Sequence, residues 1–303
     1  MGNGAVEGLV GLVPEGAELR KLGTGARWAE GPVWHPERAS VLWSDILGDR
    51  ILEWSSATGE TSVYRSGVEF TNGRTLDLDG RVVQCSHGLR RVERDEGGGR
   101  ITVVVDSFEG RRFNSPNDVV VARDGSVWFS DPTYGITQPG EGHPGEEEYG
   151  GRFVFRHDRN TGDTVAVVTD MVQPNGLAFS PDESVLYVAD SSGVGVAGGS
   201  NHHIRAYDVA DGRCSGGRVF AVVEPGVPDG IRVDTAGNVW TSAADGVHVH
   251  APDGSLLGRI RVPEVVANCC FGGPDGSTLF MTATTSLYAI ETRATDAAAR
   301  AAG

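Results

Sequence analysis

A six-fold recurrence constrains this chain more than any other feature. A polar residue opens a short apolar run, a tight turn follows, and a second apolar run ends 14 or 15 residues after the opening position. The units are EGPVWHPERASVLWSD from Glu30, NGRTLDLDGRVVQCSH from Asn72, NDVVVARDGSVWFSD from Asn117, NGLAFSPDESVLYVAD from Asn175, DGIRVDTAGNVWTSA from Asp229 and NCCFGGPDGSTLFMTA from Asn268. Their starts lie 42, 45, 58, 54 and 39 residues apart. Repeats of about 40 to 50 residues with three or four short strands each mark propeller blades. Third strands follow as RILEW from Arg50, RFVFR from Arg152, HIRAY from His203, VHVH from Val247 and SLYAI from Ser286. The expected fold is therefore all-β, a six-bladed β-propeller of four-stranded antiparallel blades around a central metal-binding channel. It occupies residues 1–291 as one domain, with ELRKL from Glu18 as the outer strand that closes the ring. The Ala-rich stretch 292–303 is expected to be a frayed tail.

The 44 glycines among 303 residues are about twice the usual share, without a collagen period. Asp-Gly pairs at Asp79, Asp124, Asp211, Asp229, Asp245, Asp253 and Asp275, with Asn72-Gly73 and Asn175-Gly176, read as hairpin turns. The charge is −15, from 26 basic and 41 acidic residues. With no basic stripe, that field argues against nucleic acid and against an anionic membrane surface. No run of about 18 apolar residues is present to span a bilayer. Four cysteines without a CxxC spacing argue against a disulfide framework or a zinc site. The first residues lack the pattern of a secretory signal, so a cytoplasmic location is expected. The partner class left is a small-molecule substrate; oligomeric state is not legible.

Two segments break the repeat. Residues 132–151 (PTYGITQPGEGHPGEEEYGG) and 191–200 both follow the second strand of their units, where a channel opens, and both are too rich in Gly and polar residues for strands. Long loops inside compact domains are usually functional, so these are expected to roof the channel, the other reading being a solvated excursion.

Aligned, the six opening positions are Glu30, Asn72, Asn117, Asn175, Asp229 and Asn268, all carboxylates or carboxamides. The innermost strand of each blade lines the channel, so these oxygens converge on one axis. Asn-Gly, Asn-Asp and Asp-Gly are also ordinary turn pairs. What makes them a ring is register, because the polar position opens the first strand in every unit. An oxygen ring without His or Cys suits a hard divalent cation, calcium first, with Zn2+, Mg2+ or Mn2+ as alternatives. Glu30 and Asp229 supply the two charges that would neutralise it.

The closing positions form a second ring of Asp45, His87, Asp131, Asp190, Ala243 and Ala283. His87 is read as a proton-transfer group or substrate contact, against a structural histidine. The three aspartates are read as a substrate shell or as strand-end caps. There is no GxSxG elbow, SxxK, HExxH, P-loop or GxGxxG after a strand.

The segments AEGPVW, TNGRTLDLDGRVVQCSHGLRRVER, NSPNDVVVARDGSVWFSDPTYGI, QPNGLAFSPDESVLYVADSS, PGVPDGIRVDTAGNVW and ANCCFGGPDGSTLFMTA together resemble the senescence-marker-protein/gluconolactonase/luciferin-regenerating-enzyme family, bacterial gluconolactonase branch. The resemblance spans about Gly25 to Glu291. It implies metal ligands at Glu30, Asn117, Asn175 and Asp229, with Asp229 also the catalytic acid/base. Asn72 and Asn268 then become substrate contacts, alongside Asp131 and Tyr134, with His87 a second candidate for proton transfer. Vertebrate members carry an arginine two residues before the Asn of the Asn-Asp pair, where this chain has Ser115. The implied activity is metal-assisted hydrolysis of a lactone. Alternatives are a phosphotriesterase or a biosynthetic enzyme on the same scaffold, or a non-catalytic ligand-binding propeller.

Overall fold

Six small antiparallel sheets stand around one axis in the computed structural model, which describes residues 5–195 and 198–298. Blade 1 is built from Ala29–His35, Ser40–Asp45, Arg50–Ser55 and Thr61–Ser66. Blades 2, 3 and 4 begin on Thr71–Leu76, Val119–Val121 and Pro174–Phe179, each followed by three antiparallel strands. Blades 5 and 6 begin on Ile231–Val233 and Val266–Gly272. The only α-helix among the described residues is the single turn Tyr134–Thr137.

A propeller needs a latch, because six sheets in a ring otherwise leave their first and last members free to part. Arg20–Thr24 supplies it by pairing with Ser286–Glu291 as the outer strand of blade 6. The closing strand thus starts two residues later than the ELRKL reading places it. Val6–Glu7 adds a short fifth strand to blade 5 by pairing with Leu256–Arg261. The packing between blades is apolar. Trp43, Trp128 and Trp240, on the second strands of blades 1, 3 and 5, are among the largest fully buried side chains. Each aromatic of this size buries about 150 to 250 Å².

Two expectations need correction. Asn72-Gly73 and Asn175-Gly176 are not turns but lie inside the inner strands, and Asp229-Gly230 leads into one. Their glycines answer a different demand. A Cβ at Gly31 would fall on the Asn72 carbonyl, at Gly73 on the Asn117 carbonyl and Asp118 carboxylate, at Gly176 on the Asp229 carbonyl, and at Gly230 on the Asn268 side chain. The residue after a ring position is pressed against the next blade. Gly73 N–H donates to Asn117 O at 2.8 Å and Gly176 N–H to Asp229 O at 3.1 Å.

The other correction concerns the C-terminal stretch. Residues 293–298 run along blade 5 and are not frayed: Thr235 N–H donates to Thr295 O at 2.9 Å and Ala297 N–H to Val233 O at 2.8 Å. Residues 299–303 of the expected tail, and 196–197 of the shorter roof segment, lie outside the described residues.

Candidate active site

The acidic residues that end the second strands hold the ring residues in place. Asp45 Oδ1 accepts the N–H groups of Arg27 at 2.7 Å and Trp28 at 3.1 Å. Asp131 accepts those of Asn114 and Ser115, both at 2.7 Å. Asp190 accepts those of Val172 at 3.0 Å and Gln173 at 3.3 Å. In each blade the two donors stand three and two residues before the ring residue, which is Glu30, Asn117 or Asn175. All three carboxylates are buried. Their remaining capacity goes to Arg50 at 2.8 Å, to the Tyr149 hydroxyl, and to Asn201 at 3.0 Å. Asp131 therefore does not reach the channel opening; it brackets the approach to Asn117.

Blade 2 departs from this pattern. Phe70, two residues before Asn72, gives its N–H to Asp49 Oδ1 at 2.9 Å, which frees His87 from the bracket. His87 Nδ1 lies 2.9 Å from the Glu141 carbonyl and must carry the proton there, so Nε2 is left to accept from Asn72 Nδ2 at 3.3 Å. Burial pushes the imidazole down to about 4, so it is neutral at physiological pH. Its contact is with Asn72, whose Oδ1 it turns away from itself.

A cavity of about 390 Å³ opens where the inner strands converge. Glu30, Asn72, Asn117, Asn175 and Asp229 line its floor, and Tyr134 and Glu141 come from the 132–151 segment. Asn268 is not on this wall. Its Oδ1 accepts the Cys269 N–H at 2.8 Å and its amide supports the Glu30 and Asp118 carboxylates. Beneath the floor Asp118 sits 3.8 Å from the Arg232 guanidinium. Arg74, fully buried, donates to the Gly31 carbonyl at 2.5 Å and to Ser44 Oγ at 2.6 Å.

The two floor carboxylates are poorly served by donors. Glu30 is 3% exposed and accepts the Gly31 N–H at 2.7 Å; burial, with the Asp118 and Glu141 charges adding to it, pushes it up to about 7. Asp229 is raised well above the usual carboxylate range, first by burial and then by the charges of Glu30, Asp118 and Glu141. Its backbone is fixed by its N–H donating to Ser242 Oγ at 2.9 Å. Among the described residues, Oδ1 of Asn72 and Oδ1 of Asn175 are buried without a hydrogen-bond partner. Buried polar atoms are rarely left so, and two on one cavity point to a ligand that would satisfy them. No three His, Cys, Asp or Glu side chains converge as a metal site among the described residues. The donor set is two carboxylates among carboxamides, an all-oxygen chemistry that fits a hard cation.

The roof is tied down at both ends. Ser115 Oγ donates to Pro132 O at 2.7 Å and accepts the Gly135 N–H at 3.0 Å, so the serine anchors the Tyr134 turn. Arg90 holds the far end through Phe113 O and through Glu146 O at 3.0 Å. The two roof segments meet where Gln138 Nε2 donates to Gly195 O at 2.7 Å and the Tyr134 hydroxyl to Ser191 O at 3.4 Å. Trp28 and Glu141 are wall residues that the repeat alone does not single out. Trp28 is signalled by standing two positions before Glu30, whereas Glu141 lies in an unaligned loop.

This ring, bracket and roof can be set beside known proteins. The family model described as the SMP-30/Gluconolactonase/LRE-like region matches residues 28–285. The chain belongs to the SMP-30/gluconolactonase/LRE-like family. Among curated members of the SMP-30/gluconolactonase/LRE-like family, a gluconolactonase of Zymomonas mobilis is 30% identical over 299 residues, covering 91% of this chain and 81% of that protein. The pentonolactonase XacC of Haloferax volcanii is 32% identical over 280 residues, covering 87% and 84%. A solved gluconolactonase structure from Xanthomonas campestris superposes with a TM-score of 0.87 at 36% identity, over 94% of this chain and 92% of that one. No helix among the described residues is long and apolar enough to cross a membrane.

Proposed function

We propose that this protein is a divalent-cation-dependent lactonase acting on sugar lactones or related cyclic esters. The observation that carries the reading is the floor of the cavity: buried Glu30 and half-buried Asp229, both with raised pKa, beside carboxamide oxygens that have no partner. Like-charged groups held so close, with few donors, are best explained by a cation that neutralises both. Glu30, Asn117, Asn175 and Asp229 would hold it, calcium being the ion whose coordination habits suit this set. The relatives that hydrolyse gluconolactone and pentonolactone support the substrate class.

When bound, the cation supplies Lewis-acid polarisation of the lactone carbonyl and stabilises the developing oxyanion. Asp229 takes the proton of the attacking water, its backbone kept in register by Ser242. Asn72, steadied by neutral His87, presents its free Oδ1 to a substrate hydroxyl or to the water. Tyr134 and Trp28 form the walls that limit ring size and exclude solvent. Glu30 keeps the second negative charge on the floor, and Asn268 keeps Glu30 oriented from below.

The test is a panel of aldonolactones, aryl esters and phosphotriesters assayed with and without chelator. Lactone turnover that disappears on chelation and returns with calcium is the expected result. Turnover unaffected by thorough chelation, or phosphotriester turnover without lactone turnover, would overturn it.

A further inference from the structure

Hydrolysis of an aliphatic lactone has a second proton-transfer requirement, for which the mechanism above, with Asp229 as base, names no residue. When the tetrahedral carbon collapses, the ring oxygen leaves as an alkoxide, a poor leaving group unless it is protonated as the bond breaks. His87 holds its one proton on Nδ1 against a carbonyl and does not line the cavity. The Tyr134 hydroxyl is engaged with Ser191 O, and burial pushes its acidity further out of reach. Glu30 and Asp229 belong to the floor.

Resting on the lactonase reading above, we propose that Glu141 is the general acid that protonates the departing ring oxygen. Its carboxyl lines the same cavity as Asp229 and Glu30, close enough that its charge opposes the ionisation of both. It has no hydrogen-bond partner among the described residues, so it is free for substrate. Its backbone is not free: the Glu141 carbonyl accepts from His87 and its N–H donates to Gln138 O at 3.3 Å. Gly140 and Gly142 flank it, and a Cβ on Gly142 would fall on the Gly135 carbonyl, so the fold of the roof over itself depends on that glycine. Burial raises the carboxyl above the usual range, the direction that favours a proton donor.

The step balances without a further reactant. The water oxygen bonds to the carbonyl carbon while Asp229 takes the water proton. The bond from that carbon to the ring oxygen then breaks, and the ring oxygen takes the Glu141 proton. Glu141 is reprotonated by Asp229 or solvent, and the net change is lactone plus water to hydroxy acid.

The test varies the leaving group. Glucono-δ-lactone and δ-valerolactone expel an aliphatic alkoxide, whereas dihydrocoumarin expels a phenolate that leaves without help. For Glu141→Gln the expected loss in kcat is about 100-fold on both aliphatic lactones and less than about 3-fold on dihydrocoumarin. Glu141→Asp, which keeps an acid one methylene shorter, is expected between wild type and Gln on the aliphatic pair. An equal loss on all three substrates overturns the assignment, and so does a rise in KM confined to the hydroxylated glucono-δ-lactone, which would mark a hydroxyl contact. Wild-type inactivity on all three would instead overturn the lactonase reading, and this assignment with it.

Discussion

Two sets of carboxylates sit where the first and second strands of the blades meet the channel, and they live under opposite conditions. Asp45, Asp131 and Asp190, at the ends of second strands, each accept two backbone N–H groups and a further side-chain partner. Glu30 and Asp229, at the starts of inner strands, have few donors and a like charge nearby. Burial pushes Asp131, Asp190, Glu30 and Asp229 toward the neutral form, and the donors decide how far. Asp190 ends below the usual range in spite of burial because Val172, Asn201 and Ser192 donate to it. Asp131, more completely enclosed, is pushed up to about 7 despite its bracket. A carboxylate with its oxygens occupied is a piece of scaffold, while one short of donors over a cavity is available for a ligand.

The largest expected effect comes from converting one of the donor-poor carboxylates into an isosteric amide. Asp229→Asn is expected to lower kcat on the preferred lactone by about 1,000-fold, in the range for loss of a general base. Its melting temperature in chelator should be unchanged or higher, because a like-charge contact is removed. Near-wild-type turnover in this variant would end the case for Asp229.

The bracket should respond the other way. Asp190→Ala leaves the part-buried N–H of Val172 and the buried N–H of Gln173 without acceptors, at about 2 kcal/mol in all. Urea denaturation should show that loss, with activity falling only as far as Asn175 is displaced. If Asp190→Ala kept full stability but lost turnover, the division of the two sets would be wrong.

Cation binding and pH sharpen the same contrast. For a carboxyl raised in the folded state, ionisation opposes folding, so stability is lost as pH rises from the unfolded value of about 4.3 toward the folded value near 7 for Glu30. The chelated protein is therefore expected to lose stability between about pH 5 and pH 8. Calcium at 100 times its Kd should restore about 2.7 kcal/mol where proton competition is weak, and less at pH 5.5. Calorimetry at the two pH values checks the sign; a larger calcium effect at pH 5.5 would contradict it.

How much of this was written in the linear sequence differs from layer to layer. The blades were legible because each carries the same alternation and turn at nearly the same spacing, and register alone aligned the six ring positions. The glycines after the ring residues were misread as hairpins, since Asn-Gly in a strand looks identical to Asn-Gly in a turn until the neighbouring blade is present. The bracket repeats in sequence as an aspartate 14 or 15 residues after the ring position, yet its partners lie upstream of the repeat unit, so its role required the fold. Glu141 belongs to a loop without a counterpart in the other blades, and only the closure of that loop over the channel brings it to the floor residues.

The smallest effect tests the donor rule far from the cavity. Glu264 lies beside the latch strand and accepts from Lys21 at 2.9 Å, Thr285 N–H and Oγ1 both at 2.8 Å, Ser286 Oγ at 2.8 Å and Tyr288 OH at 2.7 Å. Partial burial pushes its carboxyl up, but the hydrogen bonds from Lys21, Thr285, Tyr288 and Ser286 outweigh that and hold it well below the usual range. For a depressed carboxyl the stability is present above the unfolded value of about 4.3 and is lost as pH falls toward the folded one. Glu264→Gln keeps the shape and some of the hydrogen bonds, so about 1 kcal/mol is expected to be lost at pH 7, a shift of a few degrees in Tm. The difference between variant and wild type should narrow below about pH 4. A gap that stayed constant with pH would mean that Glu264 acts through packing of the latch and that donor count does not govern this carboxylate as it governs those of the blades.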